Sequence, residues 1–130
     1  MRRRKTVLLA LAFATALASG ATLASSAQAE PAGCQDAASL SGTGGVLSAI
    51  AGGACETKAT RTLKVEIKWD KALSPDPLVD SAYTTTTSTT YSIGISTCDH
   101  GNTRSYYGRS YFTTNTTYHD TATQKIKACG

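Results

Sequence analysis

The clearest periodicity in the chain is "TLKVEIKW". Leu63, Val65, Ile67 and Trp69 alternate with Lys64, Glu66 and Lys68. That is the period of two of a half-buried strand. The run stops at "DKALSPDPLVDS", where Pro75 and Pro77 remove ladder donors and predict a loop. "AYTTTTSTTYSIGIST" follows. Its threonines favour strands, and Tyr83, Tyr91, Ile93 and Ile95 share one parity and so predict one shared face. "CDHGNTR" has turn chemistry in Asp99, Gly101 and Asn102. "SYYGRSYFTT" predicts a third strand with aromatics on both faces. "NTT" at Asn115 predicts a turn and also matches a glycosylation acceptor. "YHDTATQKIKAC" predicts a fourth strand, with Ile126 and Ala128 alternating with Lys125 and Lys127. The expected fold is mainly β: a small antiparallel meander of about four strands.

The stretch before this sheet reads differently. "CQDAASLSGTGGVLSAIAGGAC", Cys34 to Cys55, holds twenty residues between its cysteines, and fourteen are Gly, Ala, Ser or Thr. Glycines interrupt any helix there. Only Leu40, Val46, Leu47 and Ile50 carry sizeable apolar side chains. Such a segment predicts a constrained loop with no core of its own, ordered by a binding partner. The expected organisation is a targeting signal at 1–29, a disulfide-closed segment at 30–57 and a small β-domain at 58–130.

The signal rests on "MRRRK", the apolar run "TVLLALAFATALA" and the small-x-small "AQA" before Ala29. Its removal changes the charge. Without Arg2, Arg3, Arg4 and Lys5, the thirteen Lys and Arg fall to nine, equal to the nine Asp and Glu. A neutral chain gives no electrostatic support to a nucleic-acid partner or to attraction by an anionic membrane, and no segment after the signal is apolar enough to predict membrane insertion of the mature protein.

An exported chain with four cysteines, Cys34, Cys55, Cys98 and Cys129, predicts a disulfide framework. Three connectivities exist. Cys34–Cys55 with Cys98–Cys129 is favoured, because each pair brackets a block of distinct composition. Cys-x-x-Cys is absent, and His100 and His119 are not spaced for metal ligation with the cysteines, so neither a metal nor another cofactor is expected.

Catalytic constellations are weak. His100 and His119 each adjoin an aspartate, Asp99 and Asp120, but neighbours on a strand point to opposite faces, and no Gly-x-Ser-x-Gly surrounds a serine. Among the carboxylates, Glu66 reads as one member of a cross-strand charge pair, and Asp76 and Asp80 as turn residues. No enzyme is predicted. Tyr106, Tyr107, Tyr111, Phe112 and Tyr118 occupy both parities, which leaves some of them, with Arg104 and Arg109, for a protein or sugar interface.

This layout resembles the adaptor subunit of umbrella toxin particles, secreted antibacterial assemblies. The resemblance lies in an export signal, the Cys-bracketed "CQDAASLSGTGGVLSAIAGGAC", and a Thr/Tyr-rich sheet closed by Cys98 and the final "ACG". It implies a non-enzymatic secreted adaptor. The N-terminal segment would insert into the repeat ring of the toxin subunit, with Gly42, Gly44, Gly45, Val46, Leu47, Ile50, Gly52 and Gly53 in contact. The sheet domain would hold a lectin subunit, through the loop near Pro75 and Pro77. The rival readings are a secreted protease inhibitor and a small lectin or antibacterial protein.

Overall fold

The computed structural model describes residues 31–114 and 117–130. The expected signal at 1–29 and the acceptor Asn115 lie outside the described residues. The chain is mainly β, built from β1 (Cys34–Ser41), β2 (Leu47–Trp69), β3 (Leu78–Thr97), β4 (Thr103–Phe112), β5 (His119–Asp120) and β6 (Gln124–Lys127). Every pairing among them is antiparallel.

The Cys34–Cys55 stretch is not a loop. It is a hairpin, with β1 paired to β2 in unbroken register from Cys34↔Cys55 to Ser41↔Ser48. A 3-10 turn at Thr43–Gly45 joins the strands. Gly44 and Gly45 there have φ of 66° and 84°, a backbone shape that other residues adopt only at a cost. Nor does the segment lack a core. Leu47, Ala49 and Ala51 are fully buried, because β2 turns its odd-numbered residues inward on both sides of its middle, from Leu47 to Cys55 and again through Leu63, Val65 and Ile67. The boundary expected at 57/58 falls inside β2, so the hairpin and the sheet share one continuous strand.

β2 is the spine. One edge carries β3 for nearly its full length. The other carries β1 along the first half and β4 along the second. Between Ala54↔Thr90 and Ala59↔Ser88 the register breaks, so that four β2 residues face only Thr89. Tyr91 fixes this bulge by donating its hydroxyl to the Ala59 carbonyl at 2.7 Å while accepting from Arg61 at 2.9 Å. The sheet curls about this region, as β-bulges allow. The first half of β2 then packs over β4. Phe112 lies under Gly53, and its ring meets Tyr91 edge-on at 5.4 Å.

The bulge also reverses the parity of β3. Tyr91, Ile93 and Ile95 pair with Gly53, Ala51 and Ala49 and face the core side. Beyond it, Ala82 and Thr84 take that side, and Tyr83, opposite Lys64, is 65% exposed. The single face expected for Tyr83, Tyr91, Ile93 and Ile95 is therefore split. Two disulfides, Cys34–Cys55 and Cys98–Cys129, match the favoured pairing.

Candidate functional site

The curl leaves two outward faces, one on each half of the sheet. The first belongs to the hairpin and the β3 half beside it. Register sets its rows: Ser41–Ser48–Ser96, Ser39–Ile50–Gly94, Ala37–Gly52–Ser92 and Gln35–Ala54–Thr90. None of these twelve positions carries a charge. Ile50 stands at the centre, 55% exposed between Ser39 and Gly94, and Val46 at the turn is 40% exposed. Ser48 and Ser96 share a hydroxyl hydrogen bond of 2.9 Å across the strands. The result is a flat sheet surface with one apolar side chain standing out of it.

This face sorts the residues expected to meet a partner. Ile50 and Gly52 lie on it, and Gly44, Gly45 and Val46 form the adjoining turn, while Gly42, which leads into that turn, has its side-chain direction filled by Ile126. Leu47 and Gly53 do not. Leu47 is wholly buried, and Gly53 is covered by Phe112. Both serve the core, because odd positions of β2 point inward.

The second face lies on the other half, where Tyr83–Lys64–Tyr111 and Glu66–Arg109–Asp120 form rows across neighbouring strands. Tyr118 packs edge-on to Tyr111 at 4.8 Å, and the Arg109 guanidinium sits 4.0 Å over the Tyr118 ring. Arg109 makes two hydrogen bonds to Asp120, at 2.7 and 3.0 Å, and this partner raises its pKa. Tyr111 donates to Glu66 at 3.0 Å; burial, then that bond, pushes its phenol up to about 12. Glu66 is also 3.6 Å from Lys64, a neighbour on its own strand rather than the cross-strand charge partner its sequence position suggested.

The proline loop, residues 70–77, packs beside this face. Tyr107 donates to Asp76 at 2.7 Å and the Lys71 amide to the same carboxylate at 3.0 Å. These bonds, the Tyr107 one first, hold the Asp76 carboxyl below the usual range, while burial and then Asp76 raise Tyr107. Leu73 at the loop tip is fully exposed with φ of 60°.

The histidines part company. His100 lies in the exposed turn before β4, with φ of 52°. His119 reaches a buried cluster with Asp36 and Ser110. Ser110 donates to Asp36 at 2.6 Å, and His119 Nε2 is 3.6 Å from the other carboxylate oxygen. Ser110 is fully buried and its proton points to the carboxylate rather than to the imidazole. A nucleophile activated by histidine needs the opposite arrangement. What the cluster does is tie β1 to β4 and β5. At the far end, Asp99 accepts from Arg104 at 3.0 Å and Tyr106 at 2.6 Å, and Arg104 stacks 3.5 Å over Trp69. Burial first, and Asp99 second, push the Tyr106 phenol up to about 12.

Among the described residues there is no group of His, Cys, Asp and Glu that could hold a metal, and no helix long and apolar enough to cross a membrane. Fold and faces together define a disulfide-stapled antiparallel β protein of an oxidising compartment. Comparisons with family models, curated proteins and solved structures find no match.

Proposed function

We propose that this chain is a secreted adaptor that joins two partners and performs no chemistry of its own, the role played by the adaptor subunit of umbrella toxin particles. The observation that carries this reading is a pair of outward faces of unlike chemistry on one stapled sheet. One is small, flat and uncharged around Ile50; the other is rich in tyrosine and charge. An adaptor needs two surfaces that do not compete for one partner. The hairpin face and its turn, through Gly44, Gly45, Val46, Ile50 and Gly52, take the repeat-ring toxin subunit. The tyrosine face and the Pro75–Pro77 loop take the lectin subunit. The hairpin is already ordered, so binding through it forfeits less conformational entropy than binding through a loop.

The test is recovery of the full chain from culture medium with its partners. A large repeat-containing protein should co-purify, and Ile50→Asp should remove it while the second partner stays bound. Recovery as a lone monomer, or unchanged co-purification of Ile50→Asp, would overturn the reading.

The exposed Tyr83 and Tyr118 also favour a second reading, a small lectin binding sugars on its tyrosine face. A glycan array separates the two: retention that Tyr83→Ala and Tyr118→Ala abolish would support the lectin, and no retention would leave the adaptor.

A further inference from the structure

Among the described residues, β3 has only one strand beside it. β2 lines one edge from Leu78 to Thr97, and among the described residues no strand pairs with the other edge and no turn or loop backbone bonds to it. An open edge is a template for another strand, and proteins usually blunt it with lysine, proline or a bulge. Such devices stand only at the start and in the middle of β3. Asp80 takes up the Ser81 amide with its own carboxylate at 2.8 Å, and the bulge interrupts the strand between Ser88 and Thr90. The stretch from Tyr91 to Thr97 has no such device: it contains no charge and no proline, and its register with β2 is unbroken.

Its sequence is also its own reverse. Ser92-Ile93-Gly94-Ile95-Ser96 reads identically in both directions about Gly94. Two antiparallel copies centred there set Gly94 opposite Gly94, Ile93 opposite Ile95 and Ser92 opposite Ser96. Every pair is like with like, and none brings charges together. The side-chain directions agree. Ile93 and Ile95 are half-buried on the core side, and Ser92, Gly94 and Ser96 are exposed on the outer side. A strand of any other sequence would match this edge only by chance, whereas a second copy matches it at each of the five positions from Ser92 to Ser96.

We propose that the open edge of β3 binds the same edge of a second copy of this chain. The contact is a two-fold antiparallel strand pairing centred on Gly94, an isologous arrangement in which one patch serves both partners. The two sheets become continuous, and the two hairpin faces lie side by side with an Ile50 in each. The contact is small. A pairing of about seven residues buries much less than the ~800 Å² per partner of a standard interface, so the dimer is weak and depends on concentration. The inference does not rest on the adaptor reading, since it needs only the edge and its sequence.

Disulfide trapping reads the register directly. Antiparallel neighbours have Cα atoms about 4.5–5.5 Å apart, which a disulfide spans. Gly94→Cys should give a covalent dimer on mild oxidation of the folded full-length secreted chain, and Thr86→Cys should not. A Cβ at position 94 would lie 3.6 Å from Ala49 O and Ile50 Cγ1, ordinary contact, so the substitution is accommodated. Sedimentation velocity supplies the second test. The mass should rise toward a dimer as concentration approaches about 1 mM, the range in which small interfaces register. Gly94→Lys places two like charges at the axis and should weaken the dimer at least about tenfold at low salt. An equimolar mixture of Gly94→Lys and Gly94→Asp should restore it. A monomer throughout that range, a dimer that Gly94→Cys does not trap, or trapping by Thr86→Cys to equal extent would each overturn the proposal. So would protection of the 92–96 amides by a different protein while the chain alone stays monomeric.

Discussion

The contact of Gly53 with Phe112 offers the most direct test of whether the hairpin belongs to the core. A Cβ at position 53 would lie 2.8 Å from Phe112 Cζ and 3.3 Å from Cε2, too close for real atoms. The ring cannot swing aside, since it is 1% exposed and held edge-on by Tyr91. Gly53→Ala should therefore overpack the site, at a cost of about 1–3 kcal/mol. Phe112→Leu alone loses ring area and the aromatic contact, for about 1–3 kcal/mol. Combined, they should cost less than the sum, because the smaller side chain gives the new methyl room. The expected coupling is about 1 kcal/mol in the favourable direction. In a domain of this size each kcal/mol shifts Tm by roughly 4–8 °C. Urea melts of the four proteins by circular dichroism and tryptophan fluorescence complete the cycle. If Gly53→Ala melts with the parent, or if the two changes add without coupling, the hairpin does not rest on Phe112. The curl would then not seat the hairpin on β4.

Three further outcomes are expected. Replacing Cys98 and Cys129 by serine opens a loop of sequence separation 31, and in the chain-entropy account should cost about 3–4 kcal/mol, read as a lower denaturation midpoint. Tyr106 and Tyr111, both raised to about 12, bind their protons more tightly folded than unfolded. The stability they contribute is therefore complete below the ordinary tyrosine range near 10 and is lost as pH rises toward 12. Absorbance at 295 nm should show a late titration accompanied by unfolding; complete ionisation of all tyrosines near pH 10 with the fold intact would contradict this. Asp99→Asn keeps the shape but removes a charge and weakens the bonds from Arg104 and Tyr106, so it should lower the Tyr106 midpoint and destabilise by about 1–3 kcal/mol in the same melts.

How much of this was legible follows from where side chains are large. Leu63, Val65 and Ile67 announced their strand because big apolar residues alternate with charged ones. The hairpin follows the same rule, with Leu47, Ala49 and Ala51 inward, but alanine and glycine give alternation almost no contrast. The bulge has no glycine or proline to mark it. It arises because Tyr91 and Arg61 bond to the backbone at 57–59, a contact between residues some thirty apart in sequence. The split of β3 into two parities follows from that bulge. The Asp36–Ser110 bond joins residues 74 apart, and only the curl brings them together. Of the residues expected at the partner surface, those on the outer parity and the turn stayed there. Leu47 and Gly53 point inward because they fall on the odd parity of β2, where small residues hide the alternation.

The staple takes its meaning from this packing. β1 offers the core only Cys34, Asp36, Ala38 and Leu40, and its outer side rests on nothing. A two-stranded ribbon with so little to bury is marginal by itself. It is fastened at both ends instead. The Cys34–Cys55 bridge closes the open end, and at the turn the Cys129 amide donates to the Gly45 carbonyl at 2.8 Å, beside the second bridge. Between them, Asp36 anchors the strand to Ser110 and His119. Three fastenings allow the outer face to be built from glycine, alanine and serine, since that face need not contribute to folding. A surface relieved of that duty can be flat and uncharged, which a soluble sheet seldom leaves open. Reducing the Cys34–Cys55 bridge in the folded protein should therefore raise amide exchange in β1 well before the rest of the sheet loosens. Equal protection of β1 and β4 after reduction would mean that packing alone holds the hairpin.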